Sequence, residues 1–116
     1  MKQIRRHLSK CLEKLGISTE NKGYYYIRDS VLHYLGTEGC DRERFRTVNS
    51  VIAGKYNDNV RNILDAERRA ITGGWDFRDR ELSYELFEQN GFVPKKPPTS
   101  RQLIKALSNW TTEIEK

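Results

Sequence analysis

The sequence predicts an all-α fold of six or seven helices that contains a helix-turn-helix. Along most of the 116-residue chain, apolar residues recur at three- and four-residue intervals, the spacing that places side chains on one face of a helix. No stretch shows sustained alternation of apolar and polar residues, the pattern typical of a half-buried strand. Glycines or prolines follow most of the helical segments and mark their ends.

Two amphipathic helices are predicted in the first third of the chain. Residues 3–15 carry apolar side chains along one face, and Gly16 closes this segment. Residues 24–35 form a second such face, which ends at Gly36. Their three consecutive tyrosines would point in three directions on a helix, which favours packing roles over a platform for stacking bases.

A helix-turn-helix is predicted at the centre of the chain. Residues 42–48 are expected to form a short helix or turn, and residues 50–56 and 58–73 the two helices of the motif. The Asp58 side chain is expected to cap the second helix by accepting hydrogen bonds from its free N–H groups. The glycine pair at 73–74 is expected to stop that helix.

Two further helices are predicted towards the end of the chain. Residues 81–89 have apolar side chains at helical spacing, and an Asn-Gly pair at 90–91 closes the segment. A proline-rich stretch then forbids regular structure. Residues 101–110 form the last helix, with Thr99 or Ser100 as its N-cap.

The composition is that of one small globular domain. The chain is 36% hydrophobic and 32% charged, with a mean hydropathy of -0.81, so we expect residues 1–116 to form a single domain with a thin core. No apolar run reaches the roughly 18 residues that a membrane span requires, and the N-terminus lacks the apolar core of a signal peptide. We expect a cytoplasmic protein in which Cys11 and Cys40 are free thiols.

The net charge of +5 is concentrated at the two ends of the chain. Six basic and two acidic residues give +4 over residues 1–22, and five against two give +3 over residues 95–116. Residues 41–80 have nine against seven, which is only +2. This distribution fits phosphate contacts on either side of a central reading helix, and a merely solvated surface explains it almost as well.

An enzyme site, a metal site and a cofactor site find no support in the sequence. His7 and His33 lie in helical patterns without a Cys, Glu or Asp at ligand spacing. The glycine pair at 73–74 lacks the GxxxxGK pattern of a phosphate-binding loop, and no GxSxG motif occurs. We therefore expect no catalytic residue, no metal and no cofactor, and a binding function instead.

The outward face of the second motif helix carries side chains that pair with phosphates and base edges. The candidates for contacts with bases are Arg61, Asn62, Asp65, Arg68 and Arg69. The candidates for phosphate contacts are Lys22, Lys55, Lys95, Lys96 and Arg101. The sequence thus predicts that double-stranded DNA is the partner and that this helix enters its major groove.

Several landmarks that follow one another along the chain point to a known family. They are KGYYYIRDSV at 22–31, the IAxKYN segment at 52–57, the A-x-R-x-A-I pattern at 66–71 with Trp75 after it, Leu86-Phe87 and Pro98-Thr99. With these landmarks, the chain from about Gly16 onward resembles the C-terminal effector domain of the stage-zero sporulation response regulator, a transcription factor of spore-forming Firmicutes.

This resemblance implies a domain of six main helices with a helix-turn-helix, and cytoplasmic control of transcription. It also implies tandem homodimers on DNA and contact with the RNA polymerase sigma factor through the region that follows Trp75. In such proteins a phosphorylatable receiver domain precedes the effector domain. The 116 residues leave no room for a receiver domain, so we expect either an excised effector domain or a stand-alone protein.

The reading helix departs from the family at Leu64 and Asp65. The family has an acidic and then a basic residue there, at positions that resemble base contacts, whereas Arg68 matches a family arginine and Arg69 replaces another polar contact residue. We expect an altered sequence preference, since the Asp65 carboxylate can accept from cytosine N4 but also repels phosphates. Alternatively, Arg61 or Arg69, each four residues away, neutralises Asp65. The alternative is a protein-interaction module of the same fold that has lost specific DNA reading and acts by mixed dimerisation.

Helical periodicity places Glu67 inside the apolar stripe of the same helix. Because an unpaired buried carboxylate is costly, Glu67 is expected to find a basic partner or to reach the edge of the stripe. The main interpretation is a structural role, and the alternative is a charge at a functional interface.

Overall fold

The structure is built from helices, as the sequence predicts. The computed structural model describes residues 2–88 and 94–115, without the side chains of residues 2, 114 and 115. Within these ranges the helices are α1 (Lys2–Lys14), α2 (Lys22–Leu35), α3 (Asp41–Lys55), α4 (Val60–Gly74), α5 (Arg80–Glu88) and α6 (Ser100–Glu115), and a 3-10 turn (Trp75–Phe77) follows α4. The described residues include no strand, so the predicted all-α class is confirmed.

The central helix of the domain is α2, which packs against α1, α3, α4 and α6. Its residues Ile27 and Val31 are fully buried. Gly23 lets α2 approach α4 closely, because a Cβ at this position would lie 2.4 Å from the carbonyl oxygen of Ala66. The position of α4 is therefore set in part by close contact between the two backbones.

One continuous core joins the helices. Its largest fully buried side chains are Phe87, Leu8, Leu12, Leu15, Ile17, Ile27, Ile52, Ile63, Ile71, Leu86, Leu103 and Ile104. Burial of each such side chain contributes about 1.5–3 kcal/mol, whereas helix propensities differ by only about 0.7 kcal/mol per ordinary residue. Tertiary packing, more than local propensity, therefore holds these helices.

Two residues with left-handed backbone conformations end α1 and α3. Gly16 has a φ of 84°, and the N–H of the following residue donates to the Leu12 carbonyl at 3.0 Å. Asn57 has a φ of 53°, and the N–H of the following residue donates to the Ala53 carbonyl at 2.9 Å. Both are Schellman closures. The predicted stop at Gly16 is confirmed, and Asn57 makes the turn of the helix-turn-helix.

Two predictions about the central motif were wrong in detail. The segments at 42–48 and 50–56 form one continuous helix, α3, rather than two pieces. Gly73 and Gly74 lie inside α4, which continues directly into the 3-10 turn. Gly74 serves close packing instead of stopping the helix, because a Cβ there would lie 1.8 Å from the carbonyl oxygen of Gly16.

The last helix begins with a reciprocal cap. The Thr99 hydroxyl accepts from the Gln102 N–H at 3.2 Å, and the Gln102 side chain accepts from the Thr99 N–H at 3.0 Å. Thr99, one of the two predicted caps, is therefore confirmed. The predicted stop at 90–91 lies outside the described residues. In the parts of the chain that the structure describes, no helix has the length and apolar character needed to cross a membrane.

Candidate nucleic-acid interface

The outer face of α4 presents all five predicted base-contact residues on one side. At about 100° per residue, positions 61, 62, 65, 68 and 69 fall within about 120° of the helix circumference. Asp65 is half-buried and the other four, Arg61, Asn62, Arg68 and Arg69, are exposed. We call these five residues the reading stripe. The opposite side of α4 packs into the core, so the reading stripe lies on the side of this helix that faces solvent.

Within the reading stripe, Asp65 pairs with Arg68. The Arg68 Nη2 lies 3.7 Å from the Asp65 Oδ1. The expectation that Arg61 or Arg69 would neutralise Asp65 was therefore wrong, because three-residue spacing also brings helical side chains together. The Arg68 side chain remains 74% exposed, and exposed ion pairs of this kind contribute little energy. Its guanidinium is still accessible to a ligand.

The first turn of α4 is capped by Asn59 and not by Asp58. The Asn59 side-chain oxygen accepts from the Asn62 N–H at 2.8 Å. Asp58 supports the cap from one residue earlier, because its carboxylate accepts from the Asn59 N–H and from the Asn62 side-chain amide, each at 2.8 Å. The side-chain hydrogen bond from Asn62 is the main cause that lowers the pKa of Asp58. The predicted cap was one residue too early, and Asn62 has a structural partner.

Asp29 of α2 anchors the end of α3. Its buried carboxylate accepts from the Lys55 ammonium at 2.8 Å, from Arg28 at 3.1 Å and from the Tyr56 hydroxyl. Burial alone would raise the pKa of Asp29, but the hydrogen bonds from Lys55, Tyr56 and Arg28 outweigh it and hold that pKa below its usual value. Lys55, a predicted phosphate contact, is thus committed in part to positioning the turn before α4.

A cleft of about 210 Å³ lies between the first turn of α2 and α4. Seven residues line it: Lys22, Tyr26, Asp58, Asn62, Asp65, Ala66 and Arg69. The structure therefore brings Lys22, a predicted phosphate contact, next to three members of the reading stripe. Tyr26 is 94% buried by the rest of the protein and its ring meets that of Tyr56 edge to face, with centroids 4.8 Å apart.

The remaining predicted phosphate contacts lie in the first turn of α6 and in the stretch before it. Lys95 and Lys96 are exposed in the irregular stretch before this helix. Arg101 donates to Asp41 at 2.9 Å, and the Tyr34 hydroxyl donates to the same carboxylate. Burial would raise the pKa of Asp41, but these two hydrogen bonds lower it below its usual value. Arg101 therefore ties the start of α6 to the start of α3.

Glu67 lies on the inner face of α4 with no exposed surface. The Ser30 hydroxyl donates to its Oε2 at 3.4 Å, the Ser100 hydroxyl also faces the carboxyl, and Oε1 has no hydrogen-bond partner. Burial raises the pKa of Glu67 to about 7, although both hydroxyls act in the opposite direction. The expectation that Glu67 would have a basic partner or lie at the edge of the apolar stripe was wrong. Instead, two hydroxyls hydrogen-bond to its carboxyl, and its raised pKa favours the neutral form.

The region after α4 exposes two aromatic side chains. Phe77 is 85% exposed and Tyr84 is 54% exposed. Arg78, which lies between these two residues in the sequence, stacks its guanidinium on the buried Trp75 ring at 4.1 Å from the ring centroid. We call Phe77 and Tyr84 the aromatic pair, because both lie on the segment that the resemblance connects with polymerase contact.

Sequence reasoning missed Asn59 and Asp29 for different reasons. Asn59 was detectable, because an asparagine directly before an apolar-periodic helix is a preferred N-cap. Asp29 was not, since its partners lie 26 and 27 positions away in the chain. The serines beside Glu67 belong to other helices, and no local pattern links them to it.

The two helices α3 and α4, joined by the turn at 56–59, define a helix-turn-helix domain of the DNA-binding class. In the described residues, no group of three His, Cys, Asp or Glu side chains could hold a metal ion. Residues 8–110 match the family described as Sporulation initiation factor Spo0A C terminal. The chain belongs to this family, which comprises DNA-binding domains of sporulation regulators and not enzymes.

Proposed function

We propose that this chain is a sequence-specific transcription regulator that places α4 in the major groove of DNA. The observation that carries the proposal is the reading stripe, which lies on the helix that follows the turn and faces away from the core. Arginine side chains such as Arg68 and Arg69 suit the O6 and N7 acceptors of guanine. Arg61 and Asn62, one turn earlier, would contact adjacent bases or phosphates.

Phosphate contacts would fix the register of α4 in the groove. Lys22 is well placed for this role because it shares a cleft with Arg69 beside the reading stripe. Lys95 and Lys96 are exposed, and Lys55 has a 46% exposed side chain with donors beyond the one that Asp29 accepts. Such contacts add affinity that depends on salt but carry no sequence information.

Two protein partners belong to the same proposal. Tandem homodimers on DNA would place two copies of α4 in successive half-sites. An RNA polymerase sigma factor would contact the aromatic pair, Phe77 and Tyr84, since exposed aromatic side chains are enriched at protein interfaces.

An interaction module without specific DNA reading is the second candidate, and one observation favours it. Asp58 and Asp65 line the same cleft as Lys22 and Arg69, so the formal charge of the cleft is zero. Leu64, half-buried next to Asp65, offers no hydrogen bond to a base edge. Such a module would form mixed dimers with a full-length regulator and inhibit it.

Selection of bound sequences from a random duplex pool, followed by titration with salt, separates the two functions. Recovery of a common motif, with an affinity that falls steeply as salt is added, is expected for the regulator. A pool that yields no motif, together with no binding at low salt, would reject the regulator in favour of the interaction module.

A further inference from the structure

The Glu67 carboxyl lies on the side of α4 opposite to the reading stripe, where three helices meet. Ser30 approaches it from α2 and Ser100 from the first turn of α6. The side chain has no exposed surface, and its Oε1 has no hydrogen-bond partner. Two hydroxyls replace only part of the hydration that a carboxylate has in water, so this site favours the neutral carboxyl.

No charged side chain in the described parts of the chain balances this carboxyl. The groups that face it are the Ser30 hydroxyl from α2 and the Ser100 hydroxyl from α6. Burial, Asp58 and Glu67 raise the pKa of the Tyr26 phenol of α2. Helix α3, which also packs against α4, brings no ionised group to it. The arginines of the reading stripe lie across the helix in solvent. In this pocket, the charge of Glu67 is therefore neutralised by protonation and not by a basic side chain.

We propose that DNA binding by this domain is coupled to protonation of Glu67, so that DNA affinity falls as this carboxyl ionises. The inference rests on the proposed function, because it requires phosphates at the outer face of α4. A helix is about 10 Å across, so bound phosphates would act on Glu67 from about 12 Å away. A unit charge at that distance, with an effective dielectric constant of about 20, changes a protonation constant about tenfold without salt and about twofold with a Debye length of about 10 Å. Several phosphates together would therefore change it a few-fold.

The direction of the coupling follows from this electrostatic effect. Negative phosphates disfavour the ionised carboxylate, so the complex holds the proton more tightly than the free protein does. Burial already raises the pKa of Glu67 to about 7, which puts the exchange of this proton in an accessible pH range. DNA binding near neutral pH is therefore accompanied by uptake of a proton.

The test compares equilibrium DNA binding of the wild-type protein and Glu67→Gln from about pH 6 to about pH 8.5 at constant ionic strength. Glutamine keeps the shape and can bond to both serines, but it cannot ionise. The wild-type dissociation constant is expected to rise a few-fold more over this range than that of the variant. Glu13→Gln, at an exposed position of α1, loses the same formal charge and should keep the wild-type pH dependence.

Each outcome decides the inference. His7 and His33 are present in all three proteins, so their ionisation cancels in the comparison. Equal pH dependence in the wild type and Glu67→Gln, with both binding DNA, overturns this inference alone. Absence of DNA binding by all three proteins at low salt overturns the proposed function and this inference together.

A second measurement serves if Glu67→Gln does not fold. The carboxyl ¹³C shift of Glu67 in the wild-type protein is titrated with and without the duplex. A midpoint that moves to higher pH on the duplex supports the coupling, and an unchanged midpoint overturns it.

Discussion

Replacing Glu67 by glutamine is expected to stabilise the folded domain at alkaline pH and to have a much smaller effect in acid. Burial raises the pKa of this carboxyl from 4.5 to about 7 on folding. The folded state therefore binds the proton more tightly than the unfolded state does. The stability that this proton contributes is fully present below about pH 4.5 and is lost as the pH rises through about 7.

The size of the effect follows from the two pKa values. Their difference corresponds to about 3 kcal/mol in the free energy of unfolding, once Glu67 is ionised in both states. Small domains are stable by only about 5–15 kcal/mol, so this is a substantial fraction. Relative to the wild type, the stabilisation by Glu67→Gln should grow by about 2 kcal/mol or more between pH 5 and pH 8. At pH 8 the melting temperature should be higher by about 10 °C.

Urea unfolding of both proteins at a series of pH values, followed by the fluorescence of Trp75 and Trp110, measures this difference. Glu81→Gln is the matched control, because Glu81 is exposed at the start of α5 and its replacement should leave the pH profile parallel to that of the wild type. If Glu67→Gln also ran parallel to the wild type, the buried carboxyl would not carry the pH dependence and the reasoning would be refuted.

Three further substitutions, two of them with a matched control variant, test the packing, the cap and the reading stripe. Gly74→Ala is expected to cost about 1–3 kcal/mol of stability, because the new Cβ would lie 1.8 Å from a backbone carbonyl oxygen. Gly73→Ala, with open space around the Cβ, should instead stabilise by up to about 1 kcal/mol, and thermal melts that ranked the two the other way would contradict the packing argument. Asn59→Ala removes the acceptor of a 2.8 Å hydrogen bond and should cost about 1 kcal/mol, with faster amide exchange confined to the first turn of α4. Arg68→Ala is expected to weaken binding to the preferred DNA site by about 1–3 kcal/mol and to relax discrimination there, whereas Arg80→Ala, outside α4, should not. Unchanged binding by the Arg68 variant would remove that residue from the reading surface.

Most features of the fold that could be predicted from the sequence depend on residues close together in the chain. Gly16 ends α1 through a left-handed backbone conformation that few other residues adopt, and this is visible in the sequence as a glycine after an apolar stripe. Thr99 caps α6 through a partner only three residues away. Signals of this kind lie within one helical turn, so a single sequence is enough to find them.

The continuous helix α3 shows where propensity misleads. The polar and β-branched run at 47–50 has a low intrinsic helix preference. Val48 is fully buried and Asn49 nearly so, which holds the run in the helix through tertiary contacts. Tertiary packing outweighs the low helix preference of residues 47–50. The residues that pack against this run are not its neighbours in the sequence.

The shared face of the candidate residues on α4 was predictable, but their contacts with one another and with neighbouring helices were not. The reading stripe follows from helical periodicity alone, and the structure confirms that its members share one face of α4. The pairing of Asp65 with Arg68 depends on the rotamers of the two side chains, which the spacing of residues along the helix does not determine. The environment of Glu67 depends on Ser30 and Ser100, which come from helices that only the tertiary fold brings together.

The anchor at Asp29 bears on how freely this motif could be moved between proteins. The turn before α4 is held by a carboxylate of α2 that bonds both Lys55 and Tyr56, and Gly23 of α2 sets the close approach to α4. A graft of residues 41–74 onto another scaffold would leave both contacts behind. The smallest part of the chain that could be transferred with these contacts intact therefore comprises three helices, α2, α3 and α4. In related sequences, changes at position 29 should accompany changes at positions 55 and 56.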